Sequence, residues 1–190
     1  MATAREAVSR PVGAGTSNEL SGIKWVGRFP TSMSLEELDQ PFRKNVKSLI
    51  DAVNLAGGRV SIAATYRPKE RAYLMHYASA IATGMVKAES VPAMAGVNIE
   101  WVHEKPEQSK AAAREMAAAY AIVFPPALES RHTARNAIDM SISGLRNKKI
   151  SDASGKEVLI KKDSDLVEVA RTYSVIKLLS DPPHWSDNGF

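Results

Sequence analysis

Residues 137–143, Ala-Ile-Asp-Met-Ser-Ile-Ser, alternate between large apolar side chains and small or polar ones. A period of two marks a β-strand with one face in a core. Ile138, Met140 and Ile142 share one face; Ala137, Asp139 and Ser141 share the other. The strand therefore carries a carboxylate among small residues, and burying a carboxylate without a partner is very costly. Any fold of this chain must bring a partner to Asp139. Arg131 or Arg135 would make a buried ion pair. A metal ion is the other solution, and spacing alone leaves both open.

The surrounding segments define what this strand packs with. Ser34 and Glu37 form a capping-box pattern, and Pro41 divides the segment after Ser34 into a short helix and a longer one. The longer helix carries Phe42, Val46, Leu49, Ile50 and Val53 on one face, and Gly57-Gly58 stops it. Residues 60–65 read as a strand, Tyr66-Arg67-Pro68 as a turn, and Pro68 opens a helix to about Thr83, ended by Gly84. Residues 85–105 read as a loop in which 97–101 could pair briefly. Residues 107–120 are alanine-rich and helical by propensity. Residues 144–163 resemble a polar hairpin turning at Asp152-Ala153-Ser154-Gly155. A last helix is expected from about Asp165 to Leu179, with Leu166, Val169, Ala170, Tyr173 and Ile176 inward. The expected class is α+β: a small, mainly antiparallel sheet packed with helices. Residues 1–22, rich in Ala, Gly, Ser and Thr, read as a flexible N-terminal arm; residues 23–190 read as a single domain.

Composition narrows the chemistry. The chain has no cysteine, which excludes thiol catalysis, disulfides and cysteine-ligated metal clusters. A net charge of +4 is a weak signal for an anionic partner. The densest basic cluster, Arg146-Asn147-Lys148-Lys149, is followed by interleaved Asp152, Glu157 and Asp163, so it reads as a solvated loop; no nucleic-acid partner is expected. No apolar run approaches the roughly 18 residues of a membrane span. The first residues lack the apolar core of a signal peptide, so synthesis in the cytoplasm is expected.

Two of the four histidines fall near carboxylates. His132 precedes Asp139 by seven positions, too far for adjacent turns of one helix. The spacing suits a ligand at the end of one segment, a tight turn, and a ligand on the strand beyond it. At the other end of the chain, Asp181-Pro182-Pro183-His184-Trp185 presents a second histidine after two prolines, which restrict the backbone. Two histidines and one carboxylate are the usual protein share of a catalytic zinc site, with one position left for water. Asp181 stands where it could take a proton from that water, and Trp185 could wall the site. His76 reads as a core or partly exposed residue. His103 is a replacement third ligand, ranked below His184. The helical His-Glu-x-x-His arrangement is absent.

At these residues the chain resembles the zinc D-alanyl-D-alanine carboxypeptidase family, which includes D,D-dipeptidases and phage endolysins cutting L-alanyl-D-glutamate or related stem-peptide bonds. The family's signature is Ser-x-His-x-x-Gly-x-Ala-x-Asp, then Glu or Asp-x-x-His-Trp. Ser130, His132, Ala137 and Asp139 match the first part; Asp181, His184 and Trp185 match the second. Thr65-Tyr66-Arg67 after a strand is similar to the family's Tyr-Arg segment, and the resemblance spans roughly residues 34–187. Arg135 stands where the family has glycine, and Asn136 is expected to supply the positive φ instead. An aspartate at position 181, not glutamate, looks more like the endolysin branch. The resemblance implies a zinc D,D-peptidase-like fold with Zn²⁺ held by His132, Asp139 and His184. It implies Asp181 as the proton acceptor, Arg67 as stabiliser of the oxyanion or holder of a substrate carboxylate, and Ser130 and Trp185 as substrate contacts. The expected activity is hydrolysis of peptidoglycan stem peptides by a monomer, at the cell wall or periplasm, after delivery by another route. A D-alanyl-D-alanine carboxypeptidase and a non-catalytic wall-binding domain are the alternatives.

Overall fold

A computed structural model describes residues 18–123 and 126–190. Its main sheet has four strands in the order β2 (Arg59–Ala64), β4 (Ala137–Ser143), β8 (His184–Ser186), β7 (Ile176–Lys177), with every neighbouring pair antiparallel. Four helices accompany it among the described residues: α1 (Phe42–Leu55), α2 (Lys69–Thr83), α3 (Pro106–Ala119) and α4 (Asp163–Thr172). A hairpin of β5 (Lys149–Ser151) and β6 (Glu157–Leu159) adds a second small sheet. The fold is α+β with a mostly antiparallel sheet.

The alternation in β4 decides which face of the sheet is dry. Ile138 and Met140 are at most 1% exposed and pack against Phe42, Val46, Leu49 and Val53 of α1. Trp185 enters the same cluster from β8, and its indole N–H donates to the Met140 carbonyl at 3.2 Å. Each such side chain contributes about 1.5–3 kcal/mol by burial, so this core anchors β4 and β8 from below. The opposite face, carrying Asp139 and His184, is left for polar chemistry. A separate cluster joins α2 and α3 through Leu74, Tyr77, Ala113 and Met116, with Trp25 and Trp101 packed on it. Gly84 ends α2 in the left-handed region, φ 80°, as its position after Thr83 requires.

Three segments differ from expectation. The last helix stops at Thr172, whose hydroxyl donates back to Val169 O at 2.6 Å, and Ser174 turns the chain at φ 57°. Val175 then drops into the core and Ile176–Lys177 become an edge strand on β8. β-branched residues favour a strand where a partner edge is available, and β8 provides one. Glu19–Leu20, expected within the arm, form β1 and pair in parallel with β3 (Ile99–Glu100). The rest of the arm, residues 1–17, lies outside the described residues. The third difference is local to Arg135 and belongs to the site.

Candidate metal centre

Strand pairing places two of the three candidate ligands. In the β4–β8 ladder Asp139 lies directly opposite His184, on the face away from Ile138 and Trp185. Directly opposed residues in an antiparallel pair bring their side chains within contact distance. On the other side of β4, Ala64 pairs with Asp139, after a register shift between Ile62 and Ala64. Just beyond that irregularity β2 ends, Thr65 O meets His132 and Arg67 lines the cleft.

His132 arrives on the turn 130–135, immediately before β4. Ser130 and Thr133 lock this turn: the Thr133 hydroxyl donates to Ser130 O at 2.8 Å, and the Ser130 hydroxyl accepts from Thr133 N at 3.3 Å. Ser130 thus orients the loop that holds His132, and it also lines the cleft. The turn closes at Arg135, which itself takes φ 60°; Asn136, expected to do so, does not. A side chain in the left-handed region costs about 1–2 kcal/mol. Arg135 offsets this with three contacts that a glycine would lack. Its guanidinium donates to Glu37 O at 3.0 Å and pairs with the Glu37 carboxylate, and it stacks 3.8 Å from the Tyr66 ring centroid. Partly exposed ion pairs and cation–π contacts are each worth about 0.5–1 kcal/mol. Arg135→Gly should therefore be nearly neutral in thermal unfolding, because strain and contacts leave together. Arg135→Ala keeps the strain, loses the contacts, and should unfold several degrees lower.

The three side chains converge. His132 Nε2 lies 3.1 Å from Asp139 Oδ1 and 3.2 Å from His184 Nδ1, and His184 Nδ1 lies 3.2 Å from Asp139 Oδ1. His132 and His184 are buried and Asp139 is half-buried. The outward nitrogen of each imidazole meets a backbone carbonyl: His132 Nδ1 with Thr65 O at 2.9 Å, His184 Nε2 with Phe190 O at 3.2 Å. A carbonyl oxygen only accepts, so the outward nitrogens carry the protons and the inward nitrogens of neutral rings carry lone pairs. Three electron-pair donors then face one another at hydrogen-bond distance. A proton can satisfy one of these contacts at a time; a divalent ion satisfies all three. Neighbouring ligands in a tetrahedral shell with bonds of about 2.0–2.1 Å are about 3.3–3.4 Å apart, within a few tenths of an ångström of the spacing here. The group could hold a metal ion without rearrangement. Burial alone would push the Asp139 carboxyl up, but the His132 and His184 imidazoles beside it outweigh burial and hold it well below the usual carboxylate range, so it stands there as an anion.

The arginine alternatives for Asp139 are engaged elsewhere: Arg131 pairs with Asp187, and Arg135 with Glu37. The group opens into a cleft of about 770 Å³, also lined by Arg67, Lys69, Ser130 and Asp181. Among the described residues the Arg67 guanidinium makes no hydrogen bond or ion pair. Burial depresses it below its ordinary value, Asp139 pulls it back toward the charged form, and Arg71 pushes it down again. The Asp181 carboxylate is exposed on the cleft and likewise makes no hydrogen bond or ion pair among the described residues. Trp185, expected to wall the site, instead lies on the core face of β8, because alternation along the strand turns it away from His184. His103 is remote from the group, with its Nε2 3.0 Å from the Ser21 hydroxyl, and His76 Nδ1 donates to Pro126 O at 2.8 Å. The carbonyls of Thr65 and Phe190 have no sequence signal, because any residue type supplies one.

No protein-family model matches the chain, and no curated protein matches it.

Proposed function

We propose that the protein is a zinc-dependent peptidase that hydrolyses peptide bonds in bacterial peptidoglycan stem peptides. The observation that carries this reading is the triangle of His132 Nε2, Asp139 Oδ1 and His184 Nδ1, with both imidazoles oriented by carbonyls. It lies at the floor of a cleft that also holds the Asp181 carboxylate and the Arg67 guanidinium. Zinc in that triangle would act as a Lewis acid, making water acidic and polarising the scissile carbonyl. Asp181 takes the proton from the attacking water as the C–O bond forms, then returns it to the nitrogen of the departing amine as the C–N bond breaks. Arg67 stabilises the charge that develops on the carbonyl oxygen. Thr65 O and Phe190 O keep the imidazole protons turned outward throughout.

The zinc D,D-peptidase resemblance supplies the substrate class, and the ordered 130–135 turn supports it: Arg135 adopts the conformation that the family's glycine would take. The same turn weighs against a non-catalytic wall-binding domain with a distorted site. Arg67 and Lys69 in one cleft keep a D-alanyl-D-alanine carboxypeptidase as the second reading, since either cation can hold a terminal carboxylate. Among the described residues no helix is long and apolar enough to cross a membrane.

Purified protein should hold about one zinc per chain and release new amines from peptidoglycan, read by mass spectrometry of the muropeptides. A chelator should stop the release and added zinc should restore it. Release of D-alanine alone selects the carboxypeptidase. Protein that retains peptidoglycan, takes up no zinc and releases no amine is a binding domain.

A further inference from the structure

The loop 178–183 joins β7 to β8 and carries Asp181, with His184 immediately after its end. Two of its six residues are Pro182 and Pro183, which have no N–H. Its backbone bonds are few: Asp181 N to Leu178 O at 3.3 Å, His184 N to Asp181 O at 3.0 Å, Leu178 N to His184 O at 3.1 Å, and one from β4, Met140 N to Pro183 O at 2.8 Å. Such a loop has more acceptors than donors: its prolines restrict the backbone but supply no N–H to tie it down. The remaining donors come from Lys177. Its ammonium donates to Asp181 O at 3.0 Å, to His184 O at 3.1 Å and to Pro182 O. All three N–H groups of the ammonium are used, two on the loop and one on the first residue of β8. The nitrogen also lies 4.9 Å from the Trp185 ring centroid, so a cation–π contact holds it beneath the loop. Lys177 pairs with Trp185 across the β7–β8 ladder, which explains why the side chain reaches this point.

We propose that Lys177 is a positioning residue for the reaction: it pins the 178–183 loop, and thereby sets Asp181 and His184 relative to Asp139. The inference rests on the hydrolase reading above for its consequence, but not for its geometry. Lys177 is not a substrate contact, because its donors are committed and it does not line the cleft. The partners that orient metal ligands typically change metal affinity or activity by about 10–100-fold when removed.

The test compares the full chain with Lys177→Met and Lys177→Arg. Methionine keeps the apolar stem and removes every donor; arginine restores donors. Three quantities are measured: zinc affinity by competition with a chromogenic chelator, kcat and KM on muropeptides, and amide hydrogen exchange of the metal-free proteins. For Lys177→Met, zinc affinity and kcat should each fall about 10-fold or more, with KM within about twofold. Amides of Leu178, Asp181 and His184 should exchange faster while those of α1 are unchanged. Lys177→Arg should recover most of each loss. The idea is wrong if Lys177→Met matches the parent in zinc affinity and kcat, or raises KM alone, which would mark a substrate contact. Faster exchange throughout the protein would equally overturn it, as a role in global stability. If the parent itself takes up no zinc, the hydrolase reading fails, and exchange at those three amides still decides whether Lys177 pins the loop.

Discussion

Asp139→Ala should lower zinc affinity by a few hundred- to a thousandfold and abolish zinc-dependent hydrolysis. Four-ligand zinc sites bind with about 10–16 kcal/mol, so one ligand is worth about 2.5–4 kcal/mol, or roughly a hundred- to a thousandfold, and an anionic ligand belongs at the upper end. The loss should be large because Asp139 is the only anion of the three and contacts both imidazoles, at 3.1 and 3.2 Å. Without it two neutral imidazoles remain, with no charge to balance the ion. The competing account is a structural ion pair between Asp139 and a protonated histidine. That account makes a different prediction: breaking a buried pair costs about 3–5 kcal/mol of fold stability, whether or not zinc is present. Isothermal titration with zinc and thermal unfolding of the metal-free protein separate the two. A variant that binds zinc as tightly as the parent but melts far lower would replace the metal centre with an ion pair.

Asp181→Asn should retain zinc within about threefold and lower kcat by about 10²–10⁴, the range for loss of a general base. The substitution is nearly isosteric, and the contacts that hold this residue in place run through its backbone: Lys177 Nζ to Asp181 O and His184 N to Asp181 O, both at 3.0 Å. The asparagine should therefore occupy the same place and fail only in accepting a proton. Among the described residues no side chain bonds the Asp181 carboxylate, which leaves it available, in contrast to Asp187, held by Arg131. Zinc content and steady-state kinetics on the same preparation give both readouts. If kcat stays within about tenfold of the parent, the proton acceptor is elsewhere, and Glu129 is the other acid on the cleft to examine.

Local structure was largely legible in the sequence. The alternation of residues 137–143 predicts β4 with the bounds it has, and Pro68 with Gly84 brackets α2 correctly. Asp152-Ala153-Ser154-Gly155 marks the β5–β6 turn, where the Asp152 carboxylate accepts from the backbone N–H of Ser154 and Lys156 at 2.9 and 3.0 Å. These elements depend on bonds and patterns a few residues long, so short windows contain the information. The end of α4 does not. Leu166, Val169, Ala170, Tyr173 and Ile176 have helical spacing, yet residues 176–177 join β8 because an edge strand needed a partner. Trp185 shows the same limit: adjacency to His184 suggests a shared site, but in a strand adjacent residues face opposite ways.

Composition and pattern alone limited the chemistry. Without cysteine, the ligands this chain can offer a divalent ion such as zinc are imidazoles and carboxylates, and Asp139 on a small-residue strand face needed a partner. Folding selected that partner. Register across β4 and β8 placed His184 opposite Asp139, the 130–135 turn brought in His132, and Glu37 and Asp187 drew the nearby arginines away. Those contacts link residues from 7 to 98 positions apart. Their geometry is set by strand pairing and core packing, which depend on the whole chain at once and leave no mark on any one segment.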